Sequence, residues 1–226
     1  MTLIKKSLMG AVAAIAMMAA GSQAHAFTIT IGGAAAGDGS GLTTAQAGAS
    51  VIDFNGIAAG TTGAFSTGGV NFSGNGAVEN GSSSGQFAAP DGDTTNYLVA
   101  GGPTAFTGSE NLAITGPSSN YFGLYWGSMD AYNTLTFLNG GSVVATITGS
   151  DVAAGGNANG GQAGLGTNNY VNIFNLPQYD SVVLTTTQAN FEVDNIAFGQ
   201  VPEPATLALF GAGLLGLGAL RRRKQS

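Results

Sequence analysis

Between residues 27 and 200 the apolar positions alternate with polar ones over short runs, the period of a strand with one buried face. Phe27 to Ile31 alternates first, and Ser50 to Phe54 follows after a Gly/Ala/Thr-rich stretch. Val70 to Ser73, Asn96 to Ala100 and Asn111 to Thr115 repeat the pattern. A turn is predicted through Ala88-Ala89-Pro90-Asp91-Gly92-Asp93, because proline and Asp-Gly bend the chain. The best-defined block runs from Tyr121 to Thr148. Within it Phe122, Leu124 and Trp126 share one face and Tyr121 and Tyr125 the other. Leu135 and Phe137, then Val143, Ala145 and Ile147, continue the period on two strands joined through Asn139-Gly140-Gly141, a hairpin signal. A Gly/Asn-rich loop from Ala153 to Asn169 precedes closing strands at Tyr170 to Phe174, Ser181 to Thr187 and Asn190 to Phe198. In the last of these, alternation puts Phe191 and Val193 inward and Glu192 and Asp194 outward. Ile196 and Phe198 then fall out of phase, so a bulge near Asn195 is predicted.

About ten short strands separated by turns, with no convincing helix among them, predict an all-β fold. The expected architecture is an antiparallel β-sandwich, jelly-roll-like, with an incomplete barrel as the alternative. Despite the glycine content, no repeat at the spacing of a solenoid is present.

Both ends break the strand pattern. Lys5 and Lys6 precede an apolar run from Leu8 to Ala20, and Ala24-His25-Ala26 supplies a small-x-small cleavage site. That is the layout of a secretory signal peptide, so signal peptidase is an expected partner and Phe27 the expected mature start. Past residue 200 come Val201-Pro202-Glu203-Pro204, an apolar run from Ala205 to Leu220, and Arg221-Arg222-Arg223-Lys224. As a helix that run reaches about 24 Å, a little short of the ~30 Å hydrocarbon core. A buried core helix is the rival reading for such a length. Against it, the run is apolar on every side and contains Gly211, Gly213, Gly216 and Gly218, which lipid-spanning helices tolerate better than soluble ones. A single C-terminal transmembrane helix is therefore expected. Arg221, Arg222 and Arg223 would keep its end in the cytoplasm.

The order of Pro202-Glu203-Pro204, short apolar segment and arginine cluster resembles the PEP-CTERM sorting signal of bacterial exported proteins. The resemblance implies that a membrane-embedded exosortase recognises Pro202, Glu203 and Pro204 and removes the tail near them. It also implies a transient anchor, a cell-surface or extracellular-matrix fate, and a link to exopolysaccharide and biofilm in Gram-negative bacteria. The expected organisation is a signal peptide at 1–26, a flexible segment with one short strand at 27–49, a sandwich ectodomain at 50–200 and a sorting and anchor segment at 201–226.

With the two ends set aside, the composition changes sharply. All six Lys and Arg residues and the one histidine, His25, lie in the sorting segments, whereas eleven of the twelve acidic residues lie between Phe27 and Gln200. With no cation against those eleven carboxylates, that stretch has a formal charge of −11. Such a surface repels nucleic acid and anionic lipid, which need cationic partners, and nucleic-acid binding is excluded. Histidine bases, lysine Schiff bases, cysteine nucleophiles and arginine clamps are equally absent from it, so no catalytic set is expected and the reading is non-enzymatic. Carboxylates, hydroxyls and amides remain, which suit Ca²⁺ coordination or a paired-acid glycosidase. Glu192 with Glu79 or Glu110 is the pair considered for the latter.

The ectodomain resembles those of exosortase-dependent surface proteins through Phe122-Gly123-Leu124-Tyr125-Trp126-Gly127-Ser128, Asp130-Ala131-Tyr132-Asn133 and Phe191-Glu192-Val193-Asp194-Asn195-Ile196. The likeness implies a sandwich akin to carbohydrate-binding modules. Such jelly rolls often carry a structural Ca²⁺ ligand in the last strand, which by that likeness points to Asp194. Asp91-Gly92-Asp93-Thr94 begins like a calcium loop and adds Asp91 and Asp93, although it lacks the far-end glutamate of an EF-hand, and a plain turn is the alternative. Tyr121, Tyr125 and Tyr132 are the candidates for a face that stacks on sugar rings, with Trp126 assigned to the core. Asp53 and Asp130 are read as surface or capping residues.

Overall fold

The computed structural model describes residues 26–103, 108–153, 158–164 and 166–201. Ala24 and most of the signal peptide lie outside the described residues. So do Pro202, Glu203, Pro204, Arg221, Arg222, Arg223 and the expected C-terminal transmembrane helix. Among the described residues, no helix is long and apolar enough to cross a membrane.

The strands are β1 (Thr28–Ile31), β2 (Ala34–Ala35), β3 (Leu42–Thr43), β4 (Ser50–Ile52), β5 (Phe65–Thr67), β6 (Val70–Gly74), β7 (Gly76–Asn80) and β8 (Asn96–Ala100). They continue as β9 (Glu110–Ser119), β10 (Tyr121–Trp126), β11 (Thr134–Asn139), β12 (Ser142–Thr148), β13 (Asn169–Phe174), β14 (Tyr179–Thr186) and β15 (Phe191–Gly199). One four-residue helix, α1 (Gly149–Val152), follows β12 and is closed by a capping box between Thr148 and Asp151.

Two antiparallel sheets carry the fold. One runs β1-β13-β10-β15-β8-β7, with β4 also paired to β15; the other runs β12-β11-β14-β9-β6-β5. Their facing sides interlock as a β-sandwich. Phe122 of the first sheet meets Phe137 of the second edge-on at 5.3 Å between ring centroids, and Tyr179 at 6.2 Å. Leu124, Trp126, Ile173 and Val193 from one sheet and Ile114, Leu135, Val182 and Leu184 from the other complete this layer, all fully buried. Trp126 stacks on Phe191 at 4.5 Å, so its place is the core, as the alternation of β10 predicts.

The bulge also falls where the phase of the sequence puts it. Gly123 pairs with Ala197 and Tyr125 with Asp194, so Asn195 and Ile196 together oppose Leu124. Asn195 takes φ 49°, a conformation asparagine accepts more readily than most residues. This extra residue returns Ile196 and Phe198 to the core side.

The opposite side of the first sheet differs from expectation. Glu192 and Asp194 do point away from the core, but neither reaches solvent: they are 4% and 0% exposed. Two segments cover them. Ala88 of the 81–95 loop donates its N–H to Glu192 Oε1 at 3.3 Å. Residues 32–44, expected to be flexible, form the β2–β3 hairpin and are fastened down by Asn195, whose Nδ2 donates to Ser40 O, Ser40 Oγ and Leu42 O at 2.9, 2.9 and 3.0 Å. Such a cover needs glycine. A Cβ at Gly41, where φ is 74°, would lie 2.4 Å from the Tyr125 ring.

Candidate functional site

The tyrosines proposed as a stacking platform are part of this covered layer. Tyr121 and Tyr125, on alternate positions of β10, are 0% and 2% exposed. Their hydroxyls are spent internally: that of Tyr121 donates to Asn172 Oδ1 at 2.7 Å and lies 2.6 Å from Thr44 Oγ1, and that of Tyr125 donates to the Asp91 carbonyl. They present no face to a sugar. The reason is the hairpin over them, which carries no run of large apolar residues to announce it. Tyr132 is different. It is only half-buried and its hydroxyl donates to Asp130 Oδ2 at 2.5 Å.

Of the three aspartates proposed for a metal, the structure brings two together. Asp194, on β15, and Asp93, in the turn before β8, lie within hydrogen-bonding reach of each other, and each is more than nine-tenths buried. Asp93 Oδ1 accepts from Thr95 N and Thr95 Oγ1, both at 2.8 Å, and Asp194 Oδ1 accepts from Asn195 N at 2.7 Å. The Oδ2 atom of each is buried without a hydrogen-bond partner. Desolvation, and then the neighbouring carboxylate, push Asp194 up to about 10, and burial raises Asp93 as well. Two orphaned carboxylate oxygens in one buried spot fit either a shared proton or a hard cation, the latter completed by further oxygens. Among the described residues no group of three or more acidic, histidine or cysteine side chains could hold a metal, so those further donors would be hydroxyls, carbonyls or water. Asp91 stands apart, its Oδ2 accepting from Gly164 N at 2.9 Å.

A cleft of about 300 Å³ opens where β10 ends and β15 begins. Its walls are Gly85 to Ala88, Ser128, Asp130 and Tyr132, Asn159, Gly160 and Gln162, and Ala189, Asn190 and Glu192. The turn after Trp126 is sharp, with Ser128 at φ 45°, and this brings Asp130 back beside the start of β15. Desolvation holds Glu192 up at about 8, with Asp130 adding a smaller like-charge push. At neutral pH its carboxyl is therefore mostly protonated and can donate a hydrogen bond. Asp130 is also raised by burial, with the Tyr132 hydroxyl opposing the rise. Asn190 Nδ2 is anchored to Gln86 O at 2.8 Å and Gly102 O at 3.1 Å, while Asn190 Oδ1 and Ser128 Oγ are buried without partners.

Glu79 and Glu110, weighed earlier as partners for Glu192, do not line this cleft. Glu79 sits on β7 and Glu110 accepts from Asn75 Nδ2. Asp53 receives the N–H of Asn55 at 3.2 Å in a local turn, as a capping role predicts. Asp130, read from the sequence as a surface or capping residue, is the one that shares the cleft with Glu192. Its place in Asp130-Ala131-Tyr132-Asn133, directly after the Trp strand, was the available signal.

The last described residues lie at the other end of β15. Gln200 Nε2 donates to Ser118 O at 2.6 Å, and Val201 is held by Asn120 through both its N–H and its carbonyl, each at 2.7 Å. No curated protein matches the chain. Residues 200–224 match the PEP-CTERM protein-sorting motif, which supports an exosortase-dependent exported surface protein and implies, for this β-rich ectodomain, a transient membrane anchor and a cell-surface or extracellular fate.

Proposed function

We propose that the ectodomain is a non-enzymatic envelope protein of a Gram-negative bacterium that binds matrix exopolysaccharide, with the cleft at Asp130, Tyr132, Asn190 and Glu192 as its grip. The observation that carries this is a concave polar cleft of about 300 Å³ with a neutral acid donor, the Asn190 and Ser128 side chains in its wall and one half-buried aromatic ring, and no cation anywhere between Phe27 and Gln200. Such a set matches the donor and acceptor hydroxyls and the C–H faces of an uncharged sugar better than an anionic one. Glycan-array binding by the ectodomain tests it. Neutral polysaccharide should be retained and lost in Tyr132→Ala and Asn190→Ala variants that still melt cooperatively. Silence across neutral and acidic polymers would end the proposal, and release of reducing sugar from a bound polymer would replace it with a carboxylate-based glycosidase reading.

A second reading is favoured by the two orphaned oxygens. In it, Ca²⁺ is held between Asp93 and Asp194 and fastens the 81–95 loop to β15, supporting the sandwich without touching the ligand. Melting of the ectodomain should then rise with added Ca²⁺, and Asp194→Asn should abolish the rise. A melting temperature indifferent to Ca²⁺ leaves the pair with a proton instead.

A further inference from the structure

Asn120 occupies the turn between β9 and β10, half-buried, with its backbone fixed on both sides: its N–H donates to Gly199 O at 3.1 Å and its carbonyl accepts from Leu176 N at 2.9 Å. Its side chain is thereby set to act as a strand of one residue. Oδ1 accepts from Val201 N and Nδ2 donates to Val201 O, both at 2.7 Å, the two bonds a neighbouring strand would make. One residue earlier, Gln200 bonds Ser118 O at 2.6 Å, and its side chain exchanges bonds of 3.0 and 3.1 Å with Gln178. The chain is thus pinned to the folded domain up to the residue before Pro202. Only Pro202, Glu203 and Pro204 then separate Val201 from the apolar run, a span of roughly 10 Å when extended.

We infer that Asn120 is a clamp that restricts access of the sorting enzyme to the Pro-Glu-Pro segment, so that processing proceeds through a state in which Val201 has come away from the ectodomain. The inference rests on the processing that the sorting motif implies. An enzyme that cuts a peptide grips several extended residues on either side of the bond by their main-chain groups. On the amino-terminal side the Gly199 carbonyl and both main-chain groups of Val201 are already engaged, and Gln200 between them is held by its side chain. Opening the clamp exposes them and breaks the two Asn120 side-chain bonds, which are the ones made to Val201 itself. At the usual net strength of such bonds, removing both raises the open population roughly thirty-fold.

The test uses the full-length chain in a host that carries its sorting enzyme, followed by pulse-chase with mass spectrometry of the uncut and cut forms. Asn120→Ala should be cut several-fold faster than the parent. A Gly-Gly-Ser insertion between Val201 and Pro202, which leaves the clamp intact but supplies free chain, should do the same. Combining the two should give no further gain, because both relieve one restriction; a role of Asn120 in ectodomain stability alone would not produce that non-additivity. If Asn120→Ala does not fold, the insertion decides: faster cutting supports the clamp and an unchanged rate overturns it. Unchanged or slower cutting in a folded Asn120→Ala chain overturns it too, as does full additivity. A parent chain never cut in the presence of the enzyme would instead remove the sorting reading.

Discussion

Replacing Glu192 by Gln offers a direct measure of how strongly the cover over the first sheet disfavours charge. In the folded protein the Glu192 carboxyl is held at about 8, against 4.5 for the free side chain. Between those two values the folded state binds a proton that the unfolded state has lost, so stability falls as pH rises through this window. Each pH unit inside it corresponds to about 1.4 kcal/mol, so between pH 4.5 and 7 the ectodomain loses up to about 3 kcal/mol through this one residue. Glutamine keeps the size and the acceptor for Ala88 N–H and never ionises. Below pH 5 the variant and the parent should therefore melt alike. By pH 7 the variant should melt higher, by about 10 °C at most for a domain of this length. Thermal unfolding followed by far-ultraviolet circular dichroism at half-unit steps from pH 4.5 to 8.5 provides the comparison. Asp93 and Asp194 tilt both curves in the same direction, so only their difference reports on Glu192. A difference that stays constant with pH, or that favours the parent at neutral pH, would refute the burial argument.

Asn195→Ala removes three hydrogen bonds that fasten Ser40 and Leu42, and should cost roughly 2–4 kcal/mol in denaturant unfolding, with faster amide exchange confined to residues 32–44. Gly41→Ala sets a methyl against the Tyr125 ring at a positive φ and should cost roughly 1–3 kcal/mol, while its Gly48→Ala counterpart, where no atom lies within 4 Å, should lose only the smaller backbone contribution. Phe122→Ala, at the centre of the ring cluster with Phe137, Tyr179 and Phe198, should cost about 3–5 kcal/mol.

The alternation of apolar residues was enough to place β10 to β15 and to locate the bulge at Asn195, because a period of two leaves a clear phase error when one residue is added. It missed β5 and β7 and the β2–β3 hairpin, which are short and rich in glycine, alanine and serine. The larger misreading was of a whole face. Alternation says that Tyr125, Glu192 and Asp194 share a side, but not what lies on it. Here the cover is a Gly/Ser/Thr segment held by Asn195 and by tyrosine hydroxyls, contacts with no hydrophobic signature. The cleft was hidden for another reason: Asp130 and Glu192 are far apart in sequence and meet only because β10 and β15 are antiparallel neighbours. Asp93 and Asp194 meet similarly, across a bridge between the 81–95 loop and the hairpin, whereas Asp91, two residues from Asp93, turns toward Gly164.

Strand β15 begins beside the cleft and ends one residue short of the Asn120 clamp. Its nine residues make it a post about 30 Å tall. The sorting motif follows the foot of that post, and the polar cleft lies at its head. Under the proposed function, the sugar grip and the segment to be cut would thus stand at opposite ends of one strand, so that severing the tail would leave the grip untouched.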